Sequence, residues 1–208
     1  GNGNHGTISG ATYVNGVGSP VAQSAVMDWN KGSNLFEYSE QFDTAYWPIG
    51  GNTTLTSGQE APDGSSNAYR LQMTSGSGTY LYQSKSTTIG QDYTISIWAK
   101  ANTESYFCFV NGTNFEEITI TNEWARYSIT FTASSSTTTI GFDNGATGNV
   151  VDCFIWGAQL EQADSLGAYI PNHTATPITT PVLLPQGLTS GRDITGVNLF
   201  ENVRKQGA

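Results

Sequence analysis

Basic residues, histidine and cysteine are all scarce in this sequence. Its 208 residues include 8 Lys and Arg against 17 Asp and Glu, for a net charge of −9. The basic footprint that neutralising phosphates requires is missing, so nucleic acid is not an expected partner. The two histidines, His5 and His173, stand near the ends at no ligand spacing, which argues against a zinc site. Two cysteines, Cys108 and Cys153, are too few for a disulfide framework and leave either buried thiols or one cross-strand bridge. No apolar run approaches the roughly 20 residues of a membrane span and no signal-peptide pattern opens the chain, so no membrane insertion is expected. Nor is there a GxSxG elbow or a Gly-rich phosphate loop leading into a helix.

What fills the space is Gly, Ser, Thr and Asn, with charged residues at only 12%. Such a surface offers neutral hydrogen-bonding groups and suits a neutral, hydroxyl-rich ligand. Residues 1–33 read as an irregular leader rich in turn-formers, with one short strand at Ala11–Val14. From Asn34 onward, short alternating runs rich in Val, Ile, Thr and aromatics are separated by Gly, Asn, Asp and Ser. They predict strands near 34–42, 52–57, 67–74, 79–88, 92–101, 105–111, 115–120, 124–133, 137–143 and 150–161, with no helical period. Pro171, Pro177, Pro181 and Pro185 then end the domain, leaving 172–208 as a Pro-rich linker and tail. The fold class is all-β, a two-sheet antiparallel sandwich over 34–171.

Parity assigns faces. In YTISIWAK, Tyr93, Ile95, Ile97 and Ala99 point one way, and Thr94, Ser96, Trp98 and Lys100 the other. In WARYSITFT, Tyr127, Ile129 and Phe131 form the apolar set while Trp124 and Arg126 face away. In YSEQFDTAYWPIG, Tyr38, Glu40 and Phe42 oppose Ser39, Gln41 and Asp43, and Phe42 and Trp47 are expected to plug one end of the core.

The runs NLFEYSEQFDTAYW, APDGSSNAYRL, GTYLYQS, YTISIWAKA, WARYSITFTA and FIWGAQLEQADSLGAYIP, in that order, resemble the carbohydrate-binding-module-like β-sandwich of bacteriophage tail and other virion proteins. The resemblance covers Asn34–Pro171, about two thirds of the chain. GNGNHGTISGATYV and VRKQGA resemble phrases of laminin-G or concanavalin-like domains. Together these imply a jelly-roll module of a virion tail protein that binds glycan without cleaving it, beside other domains or subunits of that virion protein. More distant sugar-binding relatives carry a structural calcium, held by an acid after the first strand and an aspartate in the last. Glu40 and Asp43 match the first place, but Trp156-Gly157 stands where those relatives have Asp-Asp. Asp152, Glu161 and backbone carbonyls would then have to complete the oxygen shell.

As a sugar site, Trp98 offers an indole face, Lys100 and Arg126 offer hydrogen-bond donors, and Tyr80, Tyr82 and Gln83 are expected on an adjacent strand. The bland alternative is that a loop covers this face and makes Trp98 part of a second small core; the loops around Asn111–Phe115 are then the next place to look. Trp124 and Trp156 read as core anchors. Glu116, Glu117 and Asp143 remain as carboxylates for glycoside hydrolysis, but adjacent Glu116 and Glu117 point to opposite faces and make a poor pair. Three roles follow in order of preference: glycan-binding module, structural or oligomerisation sandwich, polysaccharide-degrading jelly roll.

Overall fold

The computed structural model describes residues 29–185 apart from 77, 105, 146 and 147, with the backbone alone at 29–32 and 180–185. The leader strand at Ala11–Val14 and most of the tail lie outside the described residues. Eleven strands are described: β1 Trp29–Asn34, β2 Thr53–Gln59, β3 Ala68–Met73, β4 Tyr80–Ser86, β5 Asp92–Ala101, β6 Tyr106–Asn111, β7 Asn114–Thr119, β8 Ala125–Thr132, β9 Thr137–Asp143, β10 Val151–Glu161 and β11 Ile178–Pro185. They form a five-stranded sheet, β2-β3-β10-β5-β8, a four-stranded sheet, β4-β9-β6-β7, and a β1-β11 ribbon, with every pairing antiparallel. This is the expected all-β sandwich. No helix among the described residues is long and apolar enough to cross a membrane.

The inward faces are those that parity marks. Tyr93, Ile95, Ile97 and Ala99 of β5 are buried against Phe107 and Phe109 of β6 and Ile140 and Phe142 of β9, with Tyr127, Ile129 and Phe131 of β8 half-buried at the margin. Burying such side chains stabilises by about 1.5–3 kcal/mol each relative to exposure. Cys108 and Cys153 are free thiols on different sheets.

Two expectations need correction. The segment 35–42 is not a strand: Tyr38 takes a left-handed φ of 47°, which breaks the alternation and buries Ser39 and Glu40 together. Phe36, Phe42 and Trp47 still close one end of the core, with Trp47 4.9 Å from the Phe36 ring and 6.2 Å from that of Phe142. Prolines also do not stop regular pairing, because β11 carries Pro181 and Pro185 in a ribbon with β1 alone, where a missing N–H costs least. Pairing therefore continues beyond the 34–171 span.

Candidate functional site

Five of the six predicted sugar residues divide between the outward sides of two different sheets, and the sixth, Gln83, points inward. β4 pairs with β9 in the four-stranded sheet and not with β5, so Tyr80, Tyr82 and Gln83 are no neighbours of Trp98, Lys100 and Arg126. That expectation of adjacency fails because strands close in sequence are assigned to different sheets.

On the five-stranded sheet, the chain after β10 folds back over the outer face. Ala163 O accepts from Thr94, Gly167 O accepts from Arg126 at 2.8 Å, and Ala168 O accepts from Gln159. Beneath this cover, Ala61, Ala68, Trp156 and Tyr169 form a second small core, with Trp98 and Trp124 packed against it. Trp98 lies 6.5 Å from the Trp156 ring, and its Nε1 is buried without a hydrogen-bond partner. Arg126 also donates to Ser96 Oγ at 2.9 Å and lies over the Tyr169 ring, while burial pushes its guanidinium below the usual range. Lys100 stands 5.9 Å over Phe154, away from the covering segment's bonds.

The WGAQLE motif has a local cause. Gly157 takes φ 65° inside β10, and the register with β5 slips between Trp156 and Gln159. This bulge frees Ala158 to donate to Ser39 O at 2.9 Å and to accept from Asn34 Nδ2 at 3.0 Å. The first segment of the domain is thereby tied to its last strand.

The residues named for calcium are each engaged by protein donors. Glu40 Oε2 accepts from Asn67 Nδ2 at 2.7 Å and Oε1 from the Tyr169 hydroxyl at 3.1 Å. Trp156 Nε1 donates to Asn67 Oδ1 at 3.0 Å, so this position of β10 supplies a hydrogen-bond donor where a metal needs an oxygen. Asp43 accepts from the Tyr69 hydroxyl at 2.8 Å. Asp152 forms a bidentate pair with Arg70 at 2.8 and 2.7 Å and accepts from Asn102 and Thr103, which together hold its carboxyl below the usual range. Glu161 accepts from Gly167 N, and burial raises its pKa. Among the described residues no group of three or more His, Cys, Asp or Glu is placed to hold a metal ion.

The outer face of the four-stranded sheet is built differently. Leu81, Phe142, Phe107 and Phe109 point into the core, so their strand neighbours point out. Register then sets two cross-strand rows: Tyr80, Asp143, Cys108, Glu117, and next to it Tyr82, Gly141, Val110, Phe115. Large side chains occupy the edge strands and small ones the middle. Tyr80 and Tyr82 sit with ring centroids 4.6 Å apart. A Cβ at Gly141 would fall 2.3 Å from Leu81 O and 2.6 Å from Tyr82 Cα, so only glycine lets β4 approach this closely. Ser84, Ser86, Thr137 and Thr139 continue the face as hydroxyls. Phe115 is 40% exposed, whereas Cys108 is buried, its thiol pushed up to about 12 chiefly by burial and further by Asp143 and Glu117. Burial also raises the Asp143 carboxyl, against the N–H donated by Gly145.

Gln83 points the other way: it is buried, with its Nε2 donating to Glu37 O at 2.8 Å and its Oε1 accepting from Glu37 N. The parity of TYLYQS already forbids Tyr82 and Gln83 from sharing a site. Glu117, Asp143 and Gly141 join the tyrosines only through strand pairing, which no local pattern announces.

No family model matches the chain, and no curated protein matches it. Solved structures are similar in layout. The apo CBM1 of BiXyn10A aligns at TM-score 0.43 and 14% identity over 64% of this chain and 100% of that one. The CBM22-1 xylan-binding domain of Paenibacillus barcinonensis Xyn10C aligns at 0.45 and 14% over 65% and 95%. The enzymatically active domain of bacteriophage CBA120 tailspike protein 4 aligns at 0.44 and 15% over 61% and 21%. The chain is a two-sheet antiparallel β-sandwich by its own strand pairing, and these solved structures, carbohydrate-binding modules among them, are similar to it at TM-scores below 0.5.

Proposed function

We propose that this chain is a non-catalytic glycan-binding module whose site is the outer face of the four-stranded sheet. The observation that carries this reading is the Tyr80–Tyr82 pair, 4.6 Å between rings, set on an edge strand beside a floor of small residues and a run of Ser and Thr hydroxyls. An aromatic ring covers the C–H face of a pyranose, while hydroxyls and carboxylates bond its rim. Each contact is weak, so the module serves attachment best when displayed in many copies. The sequence resemblance over Asn34–Pro171 is the ground for placing those copies on a virion tail, next to other domains of the same protein.

The test is a glycan array with the 208-residue chain, followed by Tyr82→Ala and Tyr80→Ala. Losing one ring should weaken binding about 5- to 100-fold, from about 1–3 kcal/mol per stacked ring in aromatic binding platforms. Melting should fall only a few degrees, because both rings are on the outer face. Undiminished binding in both variants would overturn the site; release of reducing ends would establish a hydrolase instead.

A further inference from the structure

The outer face of the four-stranded sheet carries charge of one sign. Asp143 stands directly across from Tyr80, and Glu117 lies one strand beyond Cys108, so the two carboxylates flank the middle of the same row. Their Cα atoms are two strand spacings apart, about 9–10 Å. The cations with described side chains all lie elsewhere. Lys85 points inward and pairs with Glu37, Arg70 pairs with Asp152, and Lys100 and Arg126 belong to the five-stranded sheet. A glycan lying on Tyr80 and Tyr82 would thus meet two carboxylates within about one Debye length and, among the described residues, no cation.

Resting on the reading of this face as a glycan site, we propose that Asp143 and Glu117 select its occupant by charge: the face takes uncharged polysaccharide and turns away chains bearing carboxylates. A sugar carboxylate on this surface would lose water on one side, gain no counter-charge and stand near two like charges, whereas a neutral hydroxyl can donate to either carboxylate. The exclusion is thus a property of two side chains and separable from the overall charge of −9.

The experiment compares binding of the full chain to neutral β-glucan, xylan, mannan and galactan and to the carboxymethylated form of each, at low and high salt. The quantity read is the ratio of the two affinities. Whichever neutral polymer binds, its carboxymethylated form should bind at least about tenfold more weakly at low salt, with the gap narrowing at high salt. Glu117→Gln, and Glu117→Gln with Asp143→Asn, should narrow that gap stepwise. Glu60→Gln, an exposed site with no place on this face, changes net charge equally and should leave it. Glu117→Gln alone keeps the test decisive should Asp143→Asn disturb the Gly145 turn. Equal affinity for both forms, or a gap narrowed as much by Glu60→Gln as by Glu117→Gln, overturns charge selection while leaving the glycan site standing. Binding to a carboxymethylated polymer alone does the same. Binding to none of the eight overturns the glycan reading itself, and charge selection falls with it.

Discussion

Trp156 and Glu40 are bridged by a single amide: Asn67 accepts from the Trp156 indole at 3.0 Å and donates to the Glu40 carboxylate at 2.7 Å. The Tyr169 hydroxyl adds a second donor to the same carboxylate, which is 1% exposed. A buried carboxylate must be met by donors or by a cation, and here N–H and O–H groups meet it.

The fold should therefore be indifferent to calcium. Melting curves in chelator and in millimolar calcium are expected to coincide; a rise of several degrees with calcium would signal an ion bound to the folded state. Trp156→Phe removes the indole donor and should cost about 1–3 kcal/mol in urea unfolding, calcium present or absent.

Trp98→Ala should destabilise. Trp98 packs on Trp156 beneath the segment that returns over the five-stranded sheet, so truncation opens a cavity in the second small core. Half burial puts the expected loss near the low end of Trp truncations, about 2–4 kcal/mol. Glycan affinity, measured well below the melting temperature, should stay at the parent level. A stable variant that has lost binding would return the site to this face.

Gly157→Ala tests the bulge. A side chain there must adopt φ 65°, and its Cβ would lie 3.0 Å from Tyr169 Cζ and 3.2 Å from Trp98 Cδ1. The expected cost is about 1–3 kcal/mol, read by chemical denaturation. An unchanged midpoint would mean that β10 can pair straight through.

The Asp152–Arg70 pair should leave a mark on acid stability. Asp152 is held below the usual carboxylate range, first by the Arg70 hydrogen bonds and then by those of Thr103 and Asn102. A depressed folded pKa contributes stability that is present above the unfolded value, about 3.9, and is lost as pH falls through the folded value. The melting difference between parent and Asp152→Asn should thus be largest near neutrality and shrink as pH falls below the ordinary carboxylate range. A difference that stays constant with pH would remove this pair from the acid response.

The strand runs and their inward faces were legible because alternation reports burial residue by residue, as in Tyr93, Ile95 and Ile97. What alternation cannot report is what lies on the other side. Thr94 and Ser96 read as solvent-facing, yet both are buried, because Ala163 O meets the Thr94 hydroxyl and Arg126 meets that of Ser96, and a returning coil leaves no periodic trace. The candidate site suffered from a different gap. Tyr80 and Tyr82 were visible, but their partners Asp143, Gly141, Cys108 and Phe115 come from strands that pair across long stretches of chain. Tyr38 leaves no signal either, since a left-handed residue within an apolar, aromatic run cannot be told from a strand position by composition.

The β1-β11 ribbon sets how the domain answers to pulling. Trp29 lies opposite Pro185 and Gly32 opposite Val182, so the two chain directions leave the sandwich from the same end, side by side. Tension applied through both would load this ladder one rung at a time, as in opening a zip, and the four- and five-stranded sheets would feel no shear until the last rung near Asn34 and Ile178 had parted. A chain held at both ends would therefore open this ribbon first, with the strand pairing of the two larger sheets still intact.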